Sequence, residues 1–313
     1  MYVFIVNPIA GNGRAKKAFR QISESTIFTQ INKEVYLTEY QGHAKKIVKE
    51  LTSKKSFCIK AIIIIGGDGT IHDAINGLRK TPINIGFIPG GSGNDFARGC
   101  KIKDNPVKLL ESIVQGKGEI DYWFGSYEMK GSKKRFANNI GFGFDAEVAK
   151  RANESKYKGF LSKWGLGNIS YLFALLHILF SFKPKDITIS YNGKKRVIND
   201  CWMITISNHP YYGGGMKIIP TAKIQSDILP VLIIHSISKW KVLILFLTVF
   251  TGQHLRFKEI ELFETEKIHI SSEEEVYFHA DGETSKCMET TITKESGKVS
   301  IMGTLYNRTD FKQ

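Results

Sequence analysis

Cysteine is scarce in this chain, and the few cysteines are scattered. The 313 residues include four, Cys58, Cys100, Cys201 and Cys287, and none belongs to a Cys-x-x-Cys pair or a Cys/His cluster. This spacing argues against a disulfide framework and against a zinc site. We therefore interpret all four as reduced thiols of a cytosolic protein.

Long apolar runs are also missing. Residues 171–182 and 242–250 are strongly apolar, but both fall short of the roughly 20 residues that a spanning helix needs. We predict packed or interfacial helices there. The N-terminus enters a strand pattern at residues 2–6 without a basic start, a long apolar stretch or a cleavage site, so we expect no secretion signal.

Acidic residues are outnumbered by basic ones. Lys+Arg 44 less Asp+Glu 30 leaves a formal net charge of +14. Such an excess attracts phosphate groups on nucleotides, nucleic acids or anionic lipids, and the charge alone does not choose among them. The basic residues are spread along the chain without a recognised reader motif, which disfavours nucleic acid as a partner.

The order of predicted elements places an α/β region before a β-rich one. Residues 2–6, 62–65 and 83–88 are short β-rich runs, as expected of parallel strands buried on both faces. Amphipathic helix patterns accompany them. The last of these helices is capped by Asn105, and its predicted inward residues are Val107, Leu110 and Val114.

Alternating patterns dominate after about Asp121, and Asn192-Gly193 is a strong hairpin signal. We therefore predict a Rossmann-like parallel-sheet nucleotide domain at residues 1–122 and a mostly β, sandwich-type domain at residues 123–313. A return of the last residues to the first domain stays open.

The most informative motif follows the second strand. Residues 66–70 read Gly-Gly-Asp-Gly-Thr and lead from an apolar strand into a helix. Glycine permits close backbone approach, and free N–H groups at a helix start face an anion, so this arrangement indicates a phosphate site. A plain strand-to-helix turn also uses Gly and Asp. The strand before the motif and the helix after it favour the phosphate site.

Two further polar loops follow neighbouring strands. Residues 90–98 read Gly-Gly-Ser-Gly-Asn-Asp-Phe-Ala-Arg, which supplies donors and acceptors for polyphosphate and magnesium, although such a loop could merely cap a helix. Residues 7–14 follow the first strand. Because open parallel sheets bind ligands at the carboxyl ends of their strands, we expect the three loops to converge there.

Together these loops resemble the diacylglycerol kinase catalytic family of lipid kinases, which includes sphingosine-type kinases. The glycine doublet alone is shared with NAD kinases and phosphofructokinase-like folds, whereas residues 91–98 and a late Asp-Gly-Glu favour the lipid kinases. The likeness covers most of the chain, and it also includes Thr38 with Gly42-His43-Ala44, residues 136–138, Asn208 with residues 212–216, and Asp281-Gly282-Glu283.

The resemblance implies an ATP- and Mg²⁺-dependent kinase with a cleft between its domains. Glu283 would be the general base toward a lipid hydroxyl, and Asp281, Asp68 and Asp121 would position magnesium. Local sequence alone would make Asp281-Gly282 a simple turn. The implied ATP site consists of Asn7, Pro8, Ile9, Ala10, Gly11, Thr38, Gly66, Gly67, Asp68, Gly69, Thr70 and Ser92, with Asn94 and Asp95 nearby.

The chain departs from the family pattern at two places. Some bacterial members carry an acidic stretch associated with a structural magnesium, but here residues 225–230 retain only Asp227, so we predict a weak or absent metal site. His72-Asp73 stand where Asn-Glu is common. We expect Asp73 to replace the longer acid and His72 to be a solvated helix residue.

A lipid kinase acts at an interface, so we expect peripheral association with the inner face of an anionic membrane. The interfacial candidates interleave basic and apolar residues at positions 156–164 and at Lys239-Trp240-Lys241. Packed helices with snorkelling lysines explain the same patterns.

Other functions stay open at this stage. An NAD kinase-like enzyme and a non-catalytic nucleotide or lipid sensor are the alternatives to a lipid kinase. Diacylglycerol, a sphingoid base and phosphatidylglycerol all offer a suitable hydroxyl. Exposed sheet edges are compatible with a homodimer.

Overall fold

The computed structural model describes residues 1–54, 59–79, 83–129, 131–154 and 178–305. They fall into two compact units. The first unit comprises Met1–Phe124, Gly213–Gly215 and the chain from Glu295 onward, and the second comprises Gly125–Tyr212 and Met216–Lys294.

The first unit is built on a six-stranded sheet. Its strands are β1 (Tyr2–Val6), β2 (Lys33–Leu37), β3 (Ala61–Gly66), β4 (Asn84–Pro89), β5 (Glu119–Tyr122) and β17 (Val299–Met302). Their order is β2-β1-β3-β4-β17-β5, and every neighbouring pair is parallel except β17 with β5. All residues of β1 and β3 are buried, as their unbroken apolar runs predict.

The helices of this unit connect the strands. They are α1 (Ala10–Ser23), α2 (Thr26–Gln30), α3 (His43–Lys54), α4 (Asp68–Ile75), α5 (Asp95–Gly99) and α6 (Pro106–Val114). The predicted start of α6 is confirmed, because the Asn105 side chain accepts a hydrogen bond from the Lys108 N–H at 2.9 Å. The predicted inward face was wrong in part: α6 buries Leu109, Leu110 and Ile113.

The second unit is mostly β. Its strands are β6 (Gly125–Met129), β7 (Ser132–Phe136), β8 (Asn139–Gly143), β9 (Lys185–Tyr191), β10 (Lys194–Ser207), β11 (Tyr211–Tyr212), β12 (Met216–Lys217), β13 (Leu229–His235), β14 (Ile260–Thr265), β15 (Lys267–Ala280) and β16 (Glu283–Lys294). Its helices are α7 (Phe144–Glu154), α8 (Lys239–Thr248) and a 3₁₀ helix (Gln253–Arg256). Residues 178–181 are also helical.

Two long strands bend this sheet into two layers. In β10 the register shifts between Cys201 and Met203, and in β15 it shifts between Ser271 and Val276. The first halves of both strands pair with β9, and the second halves pair with β8. Strands that change layers at irregularities are how β-sandwich corners form. The β9–β10 hairpin turns at Asn192-Gly193, as predicted, and both residues have positive φ.

One hydrophobic core of this unit lies under its helices. Phe144, Trp202 and Leu232 belong to it, together with Val242 and Leu245 of α8. The apolar run at residues 242–250 therefore supplies the buried side of α8, through Val242 and Leu245. No helix among the described residues is both long and apolar enough to cross a bilayer. Most of the other apolar run, at residues 171–182, lies outside the described residues.

Candidate functional site

Three loops meet at one edge of the parallel sheet. They follow β1, β3 and β4, which are direct neighbours and end at Val6, Gly66 and Pro89. Because parallel strands all end at the same edge, the predicted convergence of the loops is confirmed by the topology.

Glycines let these loops pack backbone against backbone. A Cβ added to Gly91 would lie 2.4 Å from the Gly67 Cα, and one added to Gly11 would lie 2.1 Å from the Gly90 carbonyl oxygen. Gly11 also has φ +58°, which side chains rarely adopt. The sequence at these positions is therefore fixed by contact between the loops.

Hydrogen bonds tie the same loops together. The Asn7 amide donates to the Thr70 hydroxyl at 3.1 Å, and the Gly90 N–H donates to the Gly66 carbonyl at 2.7 Å. Asn94 closes its own loop, since its side-chain oxygen accepts from the Gly91 N–H at 2.8 Å. The result is a set of glycine-rich turns held against one another at one edge of the sheet.

Two carboxylates face each other across Gly93. A Cβ built on Gly93 would lie 3.0 Å from Asp68 Oδ2 and 3.7 Å from Asp95 Oδ2. Asp68 also accepts a hydrogen bond from the Phe96 N–H at 3.0 Å, which fixes its orientation. Burial, and then the nearby charge of Asp68, raise the pKa of Asp95 to about 6. Such a pair favours a bound cation.

A glycine turn from residues 213–215 joins this cluster. The Gly214 N–H donates to Asp95 Oδ2 at 2.7 Å, while Arg98 Nη1 pairs with Asp95 Oδ1 at 2.9 Å and donates to the Gly93 carbonyl. In the sequence, this turn is recognisable only through the family resemblance. Its hydrogen bond places the turn beside Asp95.

The other predicted nucleotide residues lie along the same edge. The Thr38 N–H donates to the Val6 carbonyl at 2.8 Å, directly after β2. Ser92 is exposed, and its hydroxyl lies 3.4 Å from Arg14 Nη2. Ile9 is 80% exposed. Pro8 lies in the loop after β1, Ala10 begins α1, and Gly69 lies in the first turn of α4.

Asp121 does not join the Asp68–Asp95 pair. It lies on β5, three strands from β3, or roughly 14 Å at the usual strand spacing. Its carboxylate forms an ion pair with Lys298 at 2.6 Å. Asp281 belongs to the second unit.

The two residues that replace the family's Asn-Glu are structural. The expectation of a solvated His72 was wrong, because this side chain is buried at 8% exposure. Asp73 accepts a hydrogen bond from the Gly42 N–H at 2.8 Å, so it holds the turn before α3.

In the second unit, the Asp-Gly-Glu motif forms a tight hairpin turn between β15 and β16. Ala280 pairs with Glu283, and the two residues between them have positive φ, as in a type I′ turn. The Asp281 carboxylate accepts hydrogen bonds from the N–H groups of residues 137, 138 and 139 at 2.7, 2.7 and 3.2 Å. Glu283 is exposed directly after this anchored turn.

An apolar cavity of about 70 Å³ lies in the same unit. Phe144, Trp202 and Met203 line it, and α8 contributes Val242, Leu245, Phe246 and Val249. Among the described residues that line it, Asp145 alone is charged. The cavity therefore suits an apolar group.

A buried polar cluster that sequence reasoning missed connects this cavity to the hairpin turn. His279 Nε2 lies 3.2 Å from both the Asp145 carboxylate and the Tyr212 hydroxyl, and both of these residues line the cavity. On the other side of the ring, His279 Nδ1 accepts from the Gly282 N–H at 3.4 Å. The sequence offers one signal for this cluster: Asp145 stands just after the glycines of β8, in the first turn of α7.

Residues 225–230, where we predicted a weak or absent metal site, contact a lysine. Lys294 is buried, and its side-chain nitrogen donates to the Gln225 carbonyl at 3.1 Å. No three His, Cys, Asp or Glu side chains within the described ranges are grouped so that they could hold a metal ion. The weak or absent metal site expected at residues 225–230 stays a prediction.

Lys294 predicts a measurable pH dependence of stability. Burial lowers its pKa to about 7, opposed in part by Asp227, while the unfolded chain keeps a value near 10.5. Between these values the unfolded state binds more protons, so stability rises with pH. We expect wild type to gain about 2 to 4 kcal/mol relative to Lys294→Met from pH 7 to pH 10.

The measurement is urea unfolding at several pH values. Lys267→Met, at an exposed position, is the control and should follow the wild-type slope. Parallel slopes for wild type and Lys294→Met would contradict the assignment.

Glycine-rich loops at a parallel-sheet edge, an acidic pair among them and a mostly β second unit fit a protein of the kinase class. Two family models cover the chain: the diacylglycerol kinase catalytic domain matches residues 1–121, and the YegS C-terminal NAD kinase beta sandwich-like domain matches residues 138–303. The chain therefore belongs to the diacylglycerol kinase catalytic-domain family of lipid kinases.

Named relatives agree with this membership. A Bacillus subtilis protein named "Putative lipid kinase YtlR" is 32% identical over 90% of this chain and 93% of its own length. A diacylglycerol kinase of Mycobacterium tuberculosis is 28% identical over 89% of this chain and 87% of its own length. The crystal structure of a Bacillus anthracis diacylglycerol kinase shares the fold, with a TM-score of 0.69 at 21% identity, covering 98% of this chain and 96% of that one.

Proposed function

We propose that this protein is an ATP- and Mg²⁺-dependent kinase that transfers the γ-phosphoryl group to the hydroxyl of a membrane lipid. Diacylglycerol is the first candidate, because relatives are named diacylglycerol kinase. The enzyme would act in the cytoplasm at the inner face of the membrane.

The nucleotide is assigned to the first unit. The loops after β1, β3 and β4 carry the backbone N–H groups and polar side chains of a phosphate site, and α4 begins at Asp68 within them. Asn7, Thr70 and Ser92 add hydrogen-bonding side chains along the same edge.

The acidic pair fits a magnesium ion that arrives with a nucleotide. Mg²⁺ is commonly bound by one or two carboxylates together with substrate phosphates and water, and Asp68 and Asp95 supply two carboxylates. When bound, the ion would neutralise charge on the transferring phosphate.

One observation carries the choice of a lipid acceptor: the cavity of the second unit, whose lining is almost entirely apolar. A hydrocarbon chain gains about 0.8 kcal/mol for each methylene group it buries, whereas a soluble dinucleotide gains nothing from such a lining. His279 lies within hydrogen-bond distance of Asp145 and Tyr212, which line the cavity, and of the Gly282 N–H, so the cavity wall and the Asp281-Gly282 turn belong to one hydrogen-bonded structure.

Glu283 is assigned as the general base. It takes the proton of the lipid hydroxyl while the hydroxyl oxygen forms its bond to the γ-phosphorus, and the bond from that phosphorus to the bridging oxygen breaks to release ADP. The Asp281 carboxylate keeps the turn in place through its three backbone hydrogen bonds.

The direct test offers ATP with diacylglycerol or with NAD to the purified protein. We expect phosphatidic acid as the product and no NADP. Formation of NADP would show an NAD kinase instead. If the protein binds ATP but phosphorylates none of diacylglycerol, NAD, a sphingoid base and phosphatidylglycerol, it would be a non-catalytic sensor.

A further inference from the structure

Helix α8 is apolar on two opposite faces. Val242, Leu245 and Val249 lie at positions i, i+3 and i+7 and line the cavity. Ile244 and Leu247 lie on the other side and are 52% and 72% exposed. Because one apolar stripe suffices to pack a surface helix, the second stripe requires an explanation.

Aromatic side chains extend this second stripe at both ends. Trp240 is 71% exposed in the first turn of α8, and its ring contacts the exposed Phe180 with centroids 6.3 Å apart. Phe250, just beyond the helix, is 50% exposed. We call Phe180, Trp240, Ile244, Leu247 and Phe250 the outer α8 face.

The surroundings of the outer α8 face are basic. Residues 236–258 contain Lys239, Lys241, Arg256 and Lys258 and no Asp or Glu. Lys241 forms an ion pair with Glu259 at 2.5 Å, so the net positive charge of this segment comes from Lys239, Arg256 and Lys258. Lys217 is exposed, and its N–H donates to the Val249 carbonyl, which brings another cation to the end of α8.

We propose that the outer α8 face docks on an anionic lipid bilayer and thereby places the wall of the cavity at the membrane surface. This inference deepens the proposed function and rests on its lipid substrate. Interfacial helices combine exposed Trp, Phe and Leu with Lys and Arg, and anionic head groups complement that charge. A second copy of the chain would bring like charges together, which disfavours self-association.

Both faces of α8 then contact lipid. The outer stripe enters the interface, and the inner stripe contacts the tail of a lipid drawn into the cavity. Lys239 strengthens the docking surface, because its ammonium donates to the Phe180 carbonyl at 2.6 Å and so holds Phe180 beside Trp240.

The test compares wild type with the double variant Trp240→Ala/Leu247→Ala in vesicle flotation without ATP. Neither residue lines the cavity. On phosphatidylcholine vesicles containing phosphatidylglycerol we expect binding at least about tenfold weaker for the double variant, from the lost apolar burial. Met288→Ala, at a position 52% exposed on β16, is the control and should bind as wild type.

Activity separates this inference from the proposed function. Toward diacylglycerol in detergent micelles the double variant should keep wild-type activity, and toward the same lipid in anionic vesicles it should lose about tenfold. Equal vesicle binding by wild type and double variant would overturn the docking surface, even if lipid kinase activity is found. A wild-type dimer that the double variant converts to monomer would overturn it too, in favour of a contact between copies.

Discussion

Glu283→Gln is expected to lower kcat for lipid phosphorylation by about 10²- to 10⁴-fold, the usual contribution of a general base. Glutamine has the shape of glutamate and can still form hydrogen bonds, but it cannot accept the proton of an alcohol. The KM values for ATP and lipid should change little, because the variant removes a group that acts in the transition state.

The hairpin explains why this variant should remain folded. The turn before Glu283 is held by the Asp281 carboxylate and by His279, and neither contact involves the Glu283 side chain. Glu289→Gln, at another exposed glutamate of β16, is the matched control and should keep full activity. Equal kcat values for Glu283→Gln and wild type would remove Glu283 from the mechanism.

Gly91→Ala should weaken nucleotide binding without touching a charged group. The new Cβ would lie 2.4 Å from the Gly67 Cα and 2.8 Å from the Asn94 side-chain oxygen, so the loops after β3 and β4 must separate. A shift of about 1 Å in a positioned site costs on the order of 10²-fold in rate. Isothermal titration with ATP and Mg²⁺ should show at least about tenfold weaker binding.

The control for this steric prediction is another glycine of the first unit. Gly297 has nothing within 4 Å of an added Cβ and no positive φ, so Gly297→Ala should preserve ATP affinity. Its stability should rise slightly, by about 0.4 to 1 kcal/mol, because alanine restricts the unfolded chain. Wild-type ATP affinity in Gly91→Ala would show that the contact between the loops does not form the site.

The first unit was largely readable from sequence because its signals are local. Unbroken apolar runs mark β1 and β3, and the glycine motifs stand directly after the strands that place them. Parallel pairing then brings the loops together without further information. The inward face of α6 was less predictable, since several apolar residues compete along one short helix and packing selects Leu109 and Ile113 over Val107 and Val114.

The second unit depends on contacts between distant residues, which no local pattern shows. Asp145 and His279 are 134 positions apart, and the cavity is lined by strands and helices from several parts of the chain. Two residues that we expected to position magnesium make other contacts in the structure. Asp121 forms an ion pair with Lys298, and the Asp281 carboxylate accepts hydrogen bonds from backbone N–H groups. The interfacial candidate at residues 156–164 lies outside the described residues, whereas Lys239-Trp240-Lys241 opens α8.

Phosphoryl transfer to a lipid is tested most directly by incubating the protein with γ-labelled ATP, Mg²⁺ and a total lipid extract. Label should enter a species in the organic phase with wild type, and it should be lost with Asp68→Ala and with Glu283→Gln while both variants keep the wild-type circular dichroism spectrum. A wild-type organic phase without label, or equal labelling by the two variants, would contradict a lipid kinase built on these residues.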